Sequence, residues 1–298
     1  MRLNVSVSIV QLVDLSVKDE KIEIMTWMYM HWFDEYLTWH PADYGNITET
    51  VVPAEEMWKP DFYLYNSVHQ TKWNARVNTP MKLSHNGKVH WSSPATFAAS
   101  CNANSEFYPI DSQNCSLWFA TWTHTANLLD AYNLEDNATT AYYVEADDWK
   151  LLSSKARRET TKYVGEEYGP DGLIYVNIYY DLVYKRARIW GIINFIAPCI
   201  LLCVILMFVF LLPANCGEKV SFASMTFLTF MLANQLISAE IPRSDTTPLI
   251  SNFLKHAMIL NTLSLSGTVV VLVLYHSEDS FHMTRWYSSS SSMLWTVY

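Results

Sequence analysis

Three uncharged runs in the last third of the chain limit its architecture more than any other feature. Residues 189–212 hold 24 positions with no charge and one Asn, residues 220–239 hold 20 more, and residues 257–275 hold 19. An α-helix rises about 1.5 Å per residue, so roughly 20 apolar residues cross about 30 Å of hydrocarbon. Each run is long enough to span a bilayer. The linkers between them have only 7 and 17 residues. Three such runs in succession point to a membrane domain rather than to three buried helices of a soluble core. The chain is therefore read as two parts. Residues 1–188 form a water-facing domain, and residues 189–298 form a membrane domain with helices at about 189–212, 220–240 and 254–275. No fourth hydrophobic run is recognisable, and the tail carries a five-serine tract at 288–292.

The first part reads as β. "LNVSVSIV" puts Leu3, Val5, Val7 and Ile9 on one face, and "LIYVNIYYDLVY" (173–184) alternates Ile174, Val176, Ile178, Tyr180, Leu182 and Tyr184 against Tyr175, Asn177, Tyr179 and Asp181. A period of two marks half-buried strands. Turn clusters "HPADYGN", "SHNGK" and "YGPDG" punctuate the stretch. Many short strands with frequent turns predict an antiparallel, immunoglobulin-like β-sandwich, here followed by a transmembrane α-helical bundle.

The second run is more than a lipid anchor. Ser221, Met225, Leu228, Leu232, Gln235 and Ala239 are spaced by 4, 3, 4, 3 and 4, which places them within about 80° of arc on a helix. The stripe has a hydroxyl at one end, apolar bulk in the middle and an amide near the other end, with Glu218 just before it. Several copies around an axis would make a pore with a hydrophobic constriction and carboxylates at a mouth. An ordinary bundle helix packing its small and polar residues on neighbours would show the same spacing.

Other functions lack their signatures. A net charge of −9 without a basic stripe argues against nucleic acid. No two of the nine His stand three or four apart, the spacing that puts two metal ligands on one helix face. There is no Gly-rich phosphate loop and no nucleophile elbow, so neither an enzyme nor a cofactor is expected.

Several motifs then point one way. Cys101 and Cys115 bracket thirteen residues around "FYPID", and "WKPDFYLYN" (58–66), "WFDEYLTW" (32–39), "GKVHW" (87–91), "FATWT" (119–123), "APC" (197–199) and "GEKVSF" (217–222) occur in order with it. This set resembles the Cys-loop, pentameric ligand-gated ion channels, most of all their nicotinic, cation-selective branch. The resemblance implies an extracellular sandwich, a Cys101–Cys115 disulfide, five subunits around a pore, and agonist clefts between neighbouring subunits. Carried over position by position, Tyr65, Trp122, Tyr175 and one of Tyr163 or Tyr168 would form the principal face of the cleft, with Tyr168 preferred on spacing. Trp27 would stand on the complementary face. Electron-rich rings attract an organic cation, at about 0.5–2 kcal/mol each. Trp32, Trp39, Trp58 and Asp61 are assigned to packing and loop bracing.

In the pore, the resemblance makes Glu218 a ring of carboxylates selecting cations such as Na⁺ and K⁺, with Leu228 at the hydrophobic gate and Met225 narrowing it. Coupling between domains would run through Glu20 of "KDEK", the loop tip at Tyr108 and Pro109, and the linker ending at Pro248, with Arg186 as ion-pair partner of an acid in "KDEK". Pro198 is expected to kink the first span.

The segment "YVGEEYGPDGLIY" lacks the adjacent cysteines of nicotinic α-type subunits, which leaves the cationic agonist unnamed and keeps open a non-conducting, accessory role in a hetero-pentamer. The start shows no signal peptide, and neither an N-terminal helix, a large cytoplasmic loop nor a fourth span is recognisable, so the chain is expected to be trimmed or atypical. Sequons at Asn46, Asn114 and Asn137, with the loop disulfide, favour an extracellular first domain of a plasma-membrane protein and mark glycosylation candidates. The basic "YKRAR" (184–188) would by itself favour the cytoplasm; the disulfide is given more weight.

Overall fold

The computed structural model of the chain describes residues 1–68, 76–165, 169–213, 216–241 and 247–276. It divides into two compact units. One is Met1–Ile192 with Ala239–Pro248, and the other is Ile193–Ser238 with Leu249–Tyr298.

The first unit is a two-sheet sandwich. Its strands are β1 (Arg2–Ser16), β2 (Lys21–Thr38), β3 (Glu49–Val52), β4 (Phe62–Leu64), β5 (Met81–Ser84), β6 (Asn86–Ser100), β7 (Ser112–Thr121), β8 (Asp130–Asn133), β9 (Trp149–Gly165) and β10 (Gly169–Arg186). One sheet runs β3-β5-β6-β2-β1-β8 and the other β4-β7-β10-β9. Pairing is antiparallel except at one edge, where β8 joins β1 in parallel.

The alternation seen in the sequence is matched by burial over most of each strand, except that Ile174 is exposed where β10 begins and Asn177 is buried. Leu3, Val5, Val7 and Ile9 of β1 face the core, as do Val176, Ile178, Tyr180, Leu182 and Tyr184 of β10. Leu12 and Leu15 break the even spacing yet are also buried. Register shifts against β2 fall between Ile9 and Gln11 and between Leu12 and Asp14. Each inserted residue flips the phase, so the apolar side chains return to the core side. Phe119 centres the aromatic core, with ring centroids 5.6 Å from Phe62, 5.0 Å from Phe97 and 6.1 Å from Tyr180. At the β5–β6 turn, Gly87 has φ +86°, and a Cβ there would lie 2.3 Å from the Asp34 carbonyl oxygen.

Beyond β10 come α1 (Arg188–Gly191), a π-turn (Ile192–Ile196) and α2 (Ala197–Leu211), then α3 (Glu218–Ala239) and α4 (Leu249–His276). The π-turn ends just ahead of Pro198. Proline removes one donor from the helical ladder and crowds the carbonyl four residues back, and a wider turn relieves that crowding. Ile192–Leu211, Glu218–Ala239 and Leu249–Tyr275 are each long and apolar enough to cross a membrane. The third helix starts earlier than the uncharged run, directly after Pro248, and takes in Lys255 and His256. Inside the second unit, the buried Asn261 of α4 donates to Thr226 Oγ1 of α3 at 3.2 Å.

Candidate functional site

The four-stranded sheet gathers aromatics on its outer side. Tyr65, just after β4, lies 5.4 Å from Trp122 and 5.2 Å from Trp118 between ring centroids, and Trp118 stacks at 5.7 Å on Tyr179. The Tyr65 hydroxyl donates to the Thr121 carbonyl at 2.6 Å. Trp118 Nε1 donates to Asn177 Oδ1 at 2.9 Å, and Asn177 Nδ2 donates to Thr161 Oγ1 at 2.7 Å. These bonds fix the rings across β7, β10 and β9. Trp122 is 53% exposed. Tyr179 is differently placed, because the Arg157 guanidinium sits 3.8 Å from its ring centroid and already occupies one face. Tyr175 on β10 meets Tyr163 on β9 edge-to-face at 5.6 Å. Tyr168 lies outside the described residues, so the choice between it and Tyr163 rests on the sequence.

The loop carrying Trp122 is braced from below. The Asp61 carboxylate accepts from the Thr123 amide at 2.5 Å and the His124 amide at 3.2 Å, and pairs with His124 Nδ1 at 2.7 Å. Burial alone would raise the Asp61 pKa, but the Thr123 bonds and the His124 ring outweigh it and hold it below the usual carboxylate value. Trp58 packs edge-on against both His124 and Trp32.

Trp27 is elsewhere. It sits on β2, in the other sheet, between the core residues Thr26 and Met28, so it points outward. Its ring neighbour is Tyr142, at 4.9 Å. Tyr65, Trp122 and Tyr175 on one sheet and Trp27 on the other thus stand on opposite outer faces.

At one end of the sandwich, Cys101 and Cys115 are disulfide-bonded. The Cys101 amide donates to the Glu20 carbonyl at 2.7 Å, which ties the "KDEK" turn to the loop through backbone. Phe107 and Ile110 at the tip are exposed, whereas Tyr108 and Pro109 are buried. Burial pushes the Tyr108 hydroxyl up to about 12, against the pull of Arg186. Within this same unit, the Pro109 carbonyl approaches so closely that a Cβ on Gly191 would lie 2.8 Å from it. Pro248 is buried directly ahead of α4.

Arg186 corrects one expectation. It does not turn to an acid of "KDEK" but to the loop itself. Its Nε and Nη2 donate to the two oxygens of Asp111 at 2.7 and 3.3 Å, and its backbone amide donates to the Asp111 carbonyl at 3.1 Å. Its guanidinium lies between Trp149, 4.2 Å away, and Tyr108, 5.1 Å away. Asp111 is only 2% exposed, and a buried carboxylate needs such a partner. Glu20 sits on an exposed turn with φ 51°.

In α3, Ser221, Met225, Leu228, Leu232, Gln235 and Ala239 are all exposed, as is Glu218. The buried residues are Ala223, Thr226, Phe230 and Ile237. At 100° per residue the two sets centre about 170° apart, on opposite faces. Asn46, Asn114 and Asn137 are exposed.

Trp118, Tyr179, Tyr142 and His124 join these clusters although their sequence positions do not mark them as ligands. In a chain with 12 Trp and 18 Tyr, only the strand pairing reveals which rings meet.

Residues 1–188 match the family model of the neurotransmitter-gated ion-channel ligand binding domain, and residues 195–293 match that of the neurotransmitter-gated ion-channel transmembrane region. The neuronal acetylcholine receptor subunit alpha-2 of Homo sapiens is 34% identical over 281 residues, covering 94% of this chain and 52% of that protein. The alpha-2 subunit of Gallus gallus is 34% identical over 284 residues, covering 95% and 53%. The human alpha-4 subunit is 34% identical over 281 residues, covering 94% and 44%. The chain belongs to the neurotransmitter-gated, Cys-loop ion-channel family, in its nicotinic-like branch. That family is not enzymatic, and its members are multi-pass plasma-membrane proteins with the N-terminal domain outside, as this chain is. The chain spans about half the length of the curated relatives it matches.

Proposed function

We propose that the chain is a subunit of a pentameric channel selective for cations such as Na⁺ and K⁺ and opened by a small organic cation. Tyr65, Trp122, Tyr175 and Tyr168 of one subunit would face Trp27 of the next across each cleft. The observation that carries the pore reading is the two-sided α3 helix. Its buried face holds the fold of its own unit, while the stripe Ser221–Met225–Leu228–Leu232–Gln235–Ala239 stays free, as a surface shared only after assembly would. Glu218 then forms a carboxylate ring at one mouth, concentrating cations and repelling anions. The relatives are named for acetylcholine; the missing cysteine pair near Tyr168 leaves the agonist here as a cationic amine class. Asn46, Asn114 and Asn137 are glycosylation sites on this reading, and Glu20, Tyr108, Pro109, Arg186 and Pro248 couple the cleft to the pore.

Expressing the chain alone and measuring reversal potentials in sodium gradients tests the reading. Glu218→Ala is expected to weaken cation preference, and unchanged selectivity would sink the assignment of that ring. Silence to a panel of amines despite normal surface assembly would move the chain to an accessory role.

A further inference from the structure

The inward face of α4 is not its apolar one. Ser251, Leu254, Ala257, Asn261, Ser264 and Thr268 recur every three or four residues and are buried, while Leu260 and Leu263 beside them are exposed. In a membrane, small and polar residues at a helix contact let two backbones approach and bond across. Thr262, Ser266 and Thr268 satisfy their hydroxyls at home, each donating to the carbonyl four residues back. Asn261 does not. It is fully buried, its Nδ2 donates to Thr226 Oγ1 of α3 at 3.2 Å, and its Oδ1 has no partner among the described residues. Thr226 is the one polar residue on the buried face of α3, and its own hydroxyl donates to the Ala223 carbonyl at 2.8 Å, which leaves a lone pair for Asn261.

A half-satisfied amide is a poor source of stability. An acceptor left buried and unpaired costs more than one neutral hydrogen bond returns, so an apolar pair of similar size would hold the two helices at least as well. What the polar pair adds is register. Apolar side chains slide past one another, whereas a hydrogen bond is lost beyond a few tenths of an ångström. Side chains reach about 5–6 Å from a helix axis, so turning α3 by about 20° carries Thr226 Oγ1 about 2 Å sideways, out of reach of the amide.

We propose that Asn261 is a positioning residue for α3, clamping Thr226 to set the rotation of that helix. The role rests on the reading of α3 as the pore-lining helix. Thr226 stands about 160° around the helix from Leu228. The clamp therefore acts from behind, and it fixes which side chains the stripe presents.

Thiol reactivity reads this rotation without requiring the channel to open. Thr229 and Met231 are exposed and flank the stripe by about 80° on either side. In the full chain in nanodiscs, Leu232→Cys, Thr229→Cys and Met231→Cys are each treated with a water-soluble methanethiosulfonate, and mass spectrometry separates each site from Cys199, Cys203 and Cys216. Leu232→Cys is expected to react readily. Adding Thr226→Val with Asn261→Leu should speed one flank and slow the other, while the protein melts no lower than before. Thr226→Ser, which keeps the hydroxyl, should leave both flanks unchanged. An unreactive Leu232→Cys overturns the pore reading and this role with it. A reactive one whose flanks keep their rates in the double variant overturns the positioning role alone, as does a lower melting midpoint with both flanks changing alike. Should the double variant fail to fold, Thr226→Val by itself, which keeps the side chain's shape, is read in the same way.

Discussion

Cutting the Arg186–Asp111 pair should unfold the sandwich far more easily than its place at the end of a strand suggests. Asp111 is 2% exposed, and its oxygens accept from Arg186 Nε and Nη2 and from Gln113 Nε2. Arg186→Ala leaves that carboxylate buried with only the Gln113 amide, and also empties the slot between Trp149 and Tyr108. Breaking a buried pair from one side costs about 3–5 kcal/mol. For a domain of this size, each kcal/mol moves the midpoint by about 2–4 °C, so the transition should drop by roughly 6–20 °C. Asp111→Ala should act similarly, by stranding the guanidinium. The double variant strands neither charge, so its loss should fall short of the sum by about 0.5–3 kcal/mol. Tryptophan fluorescence melts of the detergent-solubilised full chain read all three. Single variants melting within about 2 °C of the wild type, or a double variant that is simply additive, would refute the reasoning.

Trp122→Ala should raise the half-maximal agonist concentration about 2- to 30-fold, the equivalent of about 0.5–2 kcal/mol of lost cation–π attraction, with little change in melting because the ring is exposed. Gly87→Ala should destabilise the sandwich by about 1–3 kcal/mol, read as a lower melting midpoint, since φ +86° and the Asp34 carbonyl leave no room for a Cβ. His31 sits near 4 in the folded chain against an ordinary 6.5. The unfolded chain therefore binds more protons between those values, and this contribution is whole above pH 6.5 and fades as pH falls towards 4. Melting midpoints at pH 7.5 and 4.5 should diverge less in His31→Gln than in the wild type; an equal fall in both would contradict the shift.

What the sequence disclosed and what it withheld follow from the range of the forces involved. The membrane helices and the strand alternation were readable because hydrophobic periodicity is local: Val5 and Val7, or Ile178 and Tyr180, declare their common side within a few residues. The bulges at Ile9 and Leu12 were not, since an extra residue is recognisable only against the partner strand. The loop cysteines and Trp122 stood out through motif spacing. Arg186 was assigned to the wrong acid, because Asp111 and the "KDEK" acids are both distant in sequence and only burial separates them. The His31–His90 pair escaped for a geometric reason. Helical spacing links residues three or four apart, whereas these two are 59 apart and meet across a ladder.

The split of the aromatics between opposite sheet faces has a genetic consequence. A core layer about 10 Å thick separates the two outer faces, so a cleft using both Trp27 and Trp122 must draw them from different chains. The two halves of the site can then be damaged separately and repaired by mixing. Co-expressed with Trp122→Ala, a Trp27→Ala chain would form some boundaries with both halves intact and some with neither. Partial responses from such mixtures, where each variant alone responds weakly, would count intact boundaries rather than intact subunits.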